Sequence, residues 1–239
     1  MPPKRNKRKQ YRKRKPIKNQ LKAKSLSLGP RMPPSIIAKH KFNYSGTLTQ
    51  PANVTTLNGT AIASFRMNSL RDPERAGLSS DPANFFDDMA HFYKTYRVLG
   101  AKAYIKFINL TQEPIHIVTH IGTDMVATGA NLDLISWKNM ANTSNSMVHG
   151  VNTGAKSVRN LSVGYSPEKI EGKKKALNRA DNRLESLTST DPEQQHHLTI
   201  GATQVNTSFN SAAMNVHYEI TILYTALWND RKNNYPTGQ

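Results

Sequence analysis

The chain has 239 residues and a formal net charge of +17, from 33 lysines and arginines against 16 aspartates and glutamates. This length accommodates one sizeable domain. The absence of cysteine excludes disulfide bridges, thiolate metal sites and cysteine nucleophiles. No apolar run reaches the roughly 18 residues of a transmembrane helix, so we expect no membrane insertion.

The positive charge is concentrated at the beginning of the chain. Fifteen basic residues lie in positions 1–41, and the first acidic residue is Asp72. The remainder carries 18 basic and 16 acidic residues and is nearly neutral. A segment with so much like charge and so little apolar surface cannot fold by itself. We therefore predict a disordered basic arm and linker over residues 1–41, followed by a folded domain over residues 42–239.

The arm is either a solubilising tail or a segment that binds a polyanion. Each lysine or arginine that contacts a phosphate releases counterions, so binding is strong, sequence-independent and weakened by salt. The same basic run fits a nuclear-import signal for nuclear import receptors. The residues predicted to bind nucleic acid are Lys4, Arg5, Lys7, Arg8, Lys9, Arg12, Lys13, Arg14, Lys15, Lys18, Lys22 and Lys24.

After the arm, short segments rich in Thr, Val, Ile and Tyr alternate in polarity and are separated by turn residues, which is typical of strands. Strands are predicted over 42–50 and 60–70. Residues 84–96 are predicted to open as a short helix, with Asn84 or a neighbour as its cap. Asp87 and Asp88 would then lie near the positive end of the helix dipole.

The clearest strand is predicted over 96–110. Ala101, Ala103, Ile105 and Phe107 share the face that would enter the core, while Lys102, Tyr104 and Lys106 share the other face. Lys102 and Lys106 would contact the nucleic acid, or else solvent or a neighbouring subunit. Further strands are predicted over 113–124, 154–165, 196–205 and 214–228, and residues 171–187 as helix or loop. About eight strands with few helices predict an all-β antiparallel sandwich or barrel.

Three stretches of the sequence are distinctive: FRMNSLRDP, FFDDMAHFYKTYRVLGAKAYIKFIN and YEITILYTALWNDR. Together with the basic arm they resemble capsid proteins of circular single-stranded DNA viruses that encode a rolling-circle replication protein, the circovirus-like group. The family pattern FYxxYRVxGAKxxxxF is carried by Phe92, Tyr93, Tyr96, Arg97, Val98, Gly100, Ala101, Lys102 and Phe107. The family's arms are typically rich in arginine, whereas this arm mixes lysine and arginine.

The resemblance implies a single eight-stranded antiparallel jelly roll with a short helix between early strands. It also implies a capsid protein that self-assembles into an icosahedral virion, in about 60 copies for the simplest shell, and packages single-stranded DNA in the host nucleus. With about 15 charges per arm, 60 arms would neutralise on the order of 900 phosphates. The alternatives are a coat protein of a small positive-strand RNA or satellite virus, and a cellular ribosomal or chromatin-type protein.

The sequence offers no catalytic centre, cofactor motif or metal site, so we expect a structural protein and not an enzyme. His116 and His120 are four residues apart, but on a strand this separates them by about 13 Å, too far for one metal ion. We interpret them as exposed strand histidines. His196 and His197 are adjacent and are predicted to point to opposite faces. The Lys173, Lys174 and Lys175 run is interpreted as a solvated loop.

Overall fold

The computed structural model describes residues 33–50, 59–74, 81–123, 135–136, 141, 145–174, 181–205 and 213–232. Within these ranges it contains ten β-strands and two short α-helices, in the compact unit Met32–Gln239. None of the helices in the described ranges is long and apolar enough to cross a membrane. The predicted arm lies outside these ranges up to residue 32 and stays a prediction there.

The first sheet is built around the longest strand. Strand β10 (Met214–Arg231) pairs with β1 (Ile36–Gln50) on one side and with β3 (Tyr93–Asn109) on the other. Strand β7 (Val158–Tyr165) pairs with the second half of β3, and the short β8 (Glu185–Leu187) pairs with its first half. All these pairings are antiparallel, so the sheet has β10 and β3 at its centre.

The second sheet has β2 (Gly59–Arg66) and β4 (Ile115–Gly122) on either side of β9 (His197–Gln204). Strand β6 (Ser146–Val151) pairs with β4 at one edge, and the two-residue β5 (Ile135–Ser136) pairs with β2 at the other. These pairings are antiparallel as well. The central β9 is buried along its whole length.

The chain crosses repeatedly between the two sheets. Strands β1, β3, β7 and β10 lie in the first sheet, and β2, β4, β6 and β9 lie in the second. The orders β1-β10-β3-β7 and β2-β9-β4-β6 are those of an eight-stranded jelly roll, to which β5 and β8 are short additions. The predicted antiparallel jelly-roll sandwich is confirmed. The predicted short helix is present as α1 (Phe86–Phe92), between β2 and β3.

The core follows the alternation read from the sequence. In β10 every second side chain enters the core and is at most 4% exposed: Val216, Tyr218, Ile220, Ile222, Tyr224, Ala226 and Trp228. The Trp228 ring lies 5.5–6.3 Å from the rings of Phe86, Tyr93 and Tyr96. Each aromatic pair of this kind contributes about 0.5–1.5 kcal/mol beyond its buried area. This cluster attaches α1 to the first sheet.

A β-bulge interrupts β3. Thr225 pairs with Gly100 but the next residue of β10 pairs with Val98, so Leu99 is one residue in excess. The bulge exchanges the two faces of the strand, so that Tyr96 and Val98 before it and the odd-numbered residues 103–107 after it all enter the core. The predicted core face of the later part is confirmed.

Some predicted boundaries were wrong. Strand β1 starts at Ile36, six residues earlier than predicted. From Ile36 onward its even-numbered side chains already point toward the core. Helix α1 ends at Phe92, and residues 93–96 belong to β3, whose pairing with β10 overrides their helical pattern. Within its described residues, segment 171–187 contains the end of a second helix, α2 (Pro167–Glu171), a 3₁₀ turn and β8.

Candidate nucleic-acid interface

The twelve arm residues predicted to bind nucleic acid lie outside the described residues, and their role stays a prediction. Two further lysines that the sequence pattern grouped with the arm, Lys39 and Lys41, belong to β1. Both are exposed on the face of the first sheet that points away from the core, because the even-numbered neighbours His40 and Phe42 point inward. Part of the amino-terminal charge is therefore fixed on the folded sheet.

The outer face of the first sheet brings basic side chains from two strands together. Lys41 of β1 and Lys102 of β3 pair with Leu223 of the central β10, one from each side. Strands in a sheet are about 4.8 Å apart, so the two lysine Cα atoms are about 10 Å apart. Lys39 lies two residues from Lys41 on the same face, about 7 Å away. The three lysines therefore form one basic patch.

This patch lines a groove of about 570 Å³. Exposed apolar side chains line it as well: Phe85 is 69% exposed, Tyr104 is 44% exposed and Leu223 is 42% exposed. The Lys102 Nζ atom lies 5.0 Å from the centre of the Tyr104 ring, within the range of a cation–π contact. No aspartate or glutamate is among the described residues that line the groove. The groove combines positive charge with exposed aromatic surface.

A buried histidine fixes one wall of the groove. The indole Nε1–H of Trp228 donates to His40 Nε2 at 3.0 Å, so His40 carries its proton on Nδ1 and donates it to the Asn84 carbonyl at 2.9 Å. The Asn84 backbone N–H in turn donates to the Lys41 carbonyl at 2.9 Å. Burial lowers the pKa of His40, and the bond to Asn84 only partly opposes this. Neutral His40 thereby ties the chain before α1 to β1.

Phe85 occupies the N-cap position of α1 in a left-handed backbone conformation, with φ 63° and ψ 11°. This conformation is rare for a bulky side chain. The sequence predicted Asn84 or a neighbour as the cap. The cap is the neighbour Phe85, and its side chain makes no capping hydrogen bond. Phe86 is buried, while Asp87 and Asp88 are exposed in the first turn as predicted. The turn directs the Phe85 ring toward the groove.

Two other lysines considered from the sequence are engaged in ion pairs. Lys106 Nζ lies 3.4 Å from a carboxylate oxygen of Glu219 on the same outer face. Lys173 Nζ lies 3.2 Å from Asp181 and 3.5 Å from Glu171, so this partly exposed lysine of the predicted loop is paired with two carboxylates. In the part of the chain that the structure describes, no such pair is recorded for the three lysines of the basic patch.

The histidines of β4 do not form a metal site. Among the described residues no three histidine, aspartate or glutamate side chains are grouped closely enough to hold a metal ion. The prediction that both histidines are exposed was wrong for His120, which is 8% exposed and lies 3.1 Å from the Ser146 hydroxyl through Nδ1. The neighbouring strand β6 covers His120. The sequence of β6 shows little alternation of apolar and polar residues. Burial lowers the pKa of His120.

A buried hydrogen-bonded chain was missed by the sequence analysis. Glu171 Oε1 lies 2.6 Å from His196 Nε2, which must donate, so His196 Nδ1 accepts from the Tyr165 hydroxyl, also at 2.6 Å. The order carboxylate, imidazole, hydroxyl is that of a hydrolase triad. However, His196 is 0% exposed and Tyr165 is 4% exposed, which leaves no access for a substrate. We interpret the chain as a structural tie between α2, β7 and the start of β9.

No protein-family model matches this sequence, and no curated protein matches it. Solved structures with a similar fold include a 60-mer of the BFDV capsid protein, with a TM-score of 0.45 and 10% identity over 87% of this chain and 100% of that chain. The mud crab tombus-like virus structure has a TM-score of 0.47 and 9% identity over 87% and 96% of the two chains. The Desmodium yellow mottle tymovirus structure has a TM-score of 0.41 and 12% identity over 89% and 98%. At these identities and TM-scores, no functional argument rests on the similarities.

Proposed function

We propose that this protein is a viral capsid subunit that assembles with copies of itself into an icosahedral shell and packages nucleic acid through its basic amino-terminal arm. The observation that carries the proposal is the division of the chain into a jelly roll and a segment with thirteen basic residues before position 32. No acidic residue precedes Asp72. The arm supplies counter-charge for phosphates, and the folded part supplies surfaces on which copies contact one another.

The favoured cargo is single-stranded DNA, with assembly in the host nucleus and location in the virion. The support is the resemblance of the FYxxYRVxGAKxxxxF region and of the last strand to circovirus-like capsid proteins, together with a basic run suited to import receptors. The protein acts as a structural component and not as an enzyme.

Electron microscopy of the purified full chain, with and without single-stranded DNA, tests this function. We expect closed particles of uniform size, with nucleic acid inside when DNA is supplied. Monomers that persist under all conditions contradict the proposal. For particles recovered from cells, degradation of the extracted nucleic acid by ribonuclease and not by deoxyribonuclease would identify an RNA virus coat protein. Co-sedimentation with ribosomes at moderate salt would identify a cellular protein.

A further inference from the structure

The groove on the outer face of the first sheet has a strained aromatic residue at its edge. Phe85 is held in the left-handed region by hydrogen bonds on both sides, from His40 to the Asn84 carbonyl and from the Phe86 N–H to the Ala83 carbonyl at 3.0 Å. Burial does not explain the strain, because 69% of the Phe85 side chain is exposed. Strained backbone positions cluster at ligand-binding and catalytic sites, which makes the exposed Phe85 ring a candidate ligand contact.

The charges around this ring select the type of ligand. Lys39 and Lys41 approach from β1 and Lys102 from β3, and the described lining contains no carboxylate. Tyr104 offers a second exposed ring, with Lys102 beside it. Proteins that bind single-stranded nucleic acid use this combination, in which basic side chains follow the phosphates and aromatic rings stack on bases.

We propose that the groove binds a short segment of single-stranded nucleic acid, with phosphates at the three lysines and a base stacked on Phe85 or Tyr104. The inference rests on the proposed function, since it assigns a second contact for the packaged strand. The covalent link favours it: β1, which carries Lys39 and Lys41, begins twelve residues after the last predicted arm contact, Lys24. A strand held by the arm is therefore present at a high effective concentration near β1.

A second copy of this chain is the competing occupant. If two copies met through the same groove, like charges would face one another, which costs free energy when they are desolvated. The absence of carboxylates among the described lining residues also leaves these lysines without partners in such a contact. The charge distribution therefore favours nucleic acid.

Photocrosslinking of the full chain to a single-stranded oligothymidylate that carries 5-iododeoxyuridine tests the proposal. We expect crosslinked peptides that contain Phe85 or Tyr104, in addition to peptides from the arm. Loss of one stacked base lowers affinity by about five- to 150-fold, so Phe85→Ala should weaken binding within this range. The matched control is Phe92→Ala, which removes another exposed ring that does not line the groove and should leave affinity unchanged.

Lys102→Gln provides a measurement that does not depend on stacking. Loss of one phosphate contact should reduce the slope of log affinity against log salt by about 0.7. Crosslinks confined to the arm, with unchanged affinity for Phe85→Ala, would overturn the assignment of the groove as a nucleic-acid site. The proposed function would not be affected. Absence of all crosslinks would overturn both. Loss of particle assembly in Phe85→Ala with unchanged oligonucleotide affinity would assign the groove to contacts between copies and overturn the inference.

Discussion

Individual residues of the FYxxYRVxGAKxxxxF pattern have different structural roles in the folded chain. Tyr96 packs in the core against the indole of Trp228, and Arg97 Nη2 donates to a Glu185 carboxylate oxygen at 2.9 Å, which ties β8 to β3. Gly100 lies at the bulge, and Lys102 emerges beyond it in the basic patch. Most of the pattern is thus explained by packing, and Lys102 is the member that brings a charged side chain to the groove, which Gly100 and Ala101 also line.

Gly46 on β1 is a residue whose size is fixed by one contact. A Cβ atom added there would lie 2.6 Å from the Tyr218 hydroxyl oxygen and 2.8 Å from the Tyr218 Cζ atom, and Tyr218 is buried. We expect Gly46→Ala to lower the free energy of unfolding by about 1–3 kcal/mol, because the ring has to shift within a packed core. Urea denaturation monitored by tyrosine and tryptophan fluorescence measures this change.

Gly164 on β7 is the matched control, since an added Cβ atom there meets nothing within 4 Å. Gly164→Ala should change the stability little. In Gly46→Ala, the additional substitution Tyr218→Phe removes the nearest atom and should recover part of the loss. Equal stability of Gly46→Ala and the unmodified chain would show that the ring moves without cost.

Among the elements, α2 is attached to the sandwich by its last residue, in addition to Ile170, which packs against the core. Glu171 accepts from His196 and also from the Gln194 side chain at 2.5 Å, and it lies near Lys173. Burial raises the pKa of the Glu171 carboxyl, but the bonds and charges of His196 and Lys173 together lower it. The carboxylate is therefore the charged centre of this attachment.

Glu171→Gln should lower the free energy of unfolding by about 1–3 kcal/mol, because the His196 N–H and its neighbours lose a charged acceptor in a buried place. Denaturant midpoints measure the loss, and hydrogen exchange of amides in 167–171 should accelerate. Glu193→Gln, at an exposed position of the same region, is the control and should be neutral. If both variants are equally stable, the tie contributes nothing.

The sequence was sufficient to predict the elements whose alternation is uninterrupted. The second half of β3 alternates strictly, so its core face followed from the pattern alone, and the strict alternation of β10 predicted a strand. The extra residue Leu99 was not predicted, because a bulge can be recognised only when the pairing of its strand with the neighbouring strand is known. The edge strand β6 is mostly exposed and has little alternation to detect.

The candidate site was predictable only in part. Lys102 and Tyr104 were correctly placed on the outer face from their strand pattern. Their neighbours in the groove come from β1 and from the turn before α1, which are brought together by strand pairing across β10. The Glu171–His196 contact likewise joins residues 25 positions apart. Such contacts depend on tertiary structure, which a single sequence does not reveal.

For the whole molecule, buried histidines predict acid sensitivity. Burial is the largest cause that lowers the pKa of His40, His120 and His196. These groups bind protons more weakly when folded, so their stabilising contribution is complete above the unfolded pKa of about 6.5 and is lost as the pH falls toward the folded values. We expect the urea midpoint to fall steadily from pH 7.5 to pH 5.

The carboxyl groups affect the stability in a lower pH range than the histidines. The Arg183 side chain lowers the pKa of Asp181, so its contribution is lost only below the unfolded value of 3.8. Measurements kept above pH 5 therefore report mainly the histidines. A constant midpoint between pH 7.5 and pH 5 would show that the three side chains bind protons equally in the folded and the unfolded state.

The separation of arm and sandwich predicts the effect of truncation. Deletion of residues 2–24 should leave cooperative unfolding unchanged, because this highly charged segment has little apolar surface to contribute to a core, but it should abolish packaging of nucleic acid. Circular dichroism melts measure the first effect, and the ratio of absorbance at 260 nm to that at 280 nm in purified particles measures the second. Retention of the same amount of genome would contradict the role of the arm.

The position of β10 at the centre of the first sheet has a consequence for synthesis on the ribosome. When residue 213 has been translated, β1 and β3 exist but the strand that joins them does not, since each pairs with β10 over nearly its whole length. Their edges stay open to other chains until residues 214–231 emerge. The central pairing of the first sheet therefore forms only after residues 214–231 have emerged, and nascent chains stalled before this point are the species most prone to aggregate.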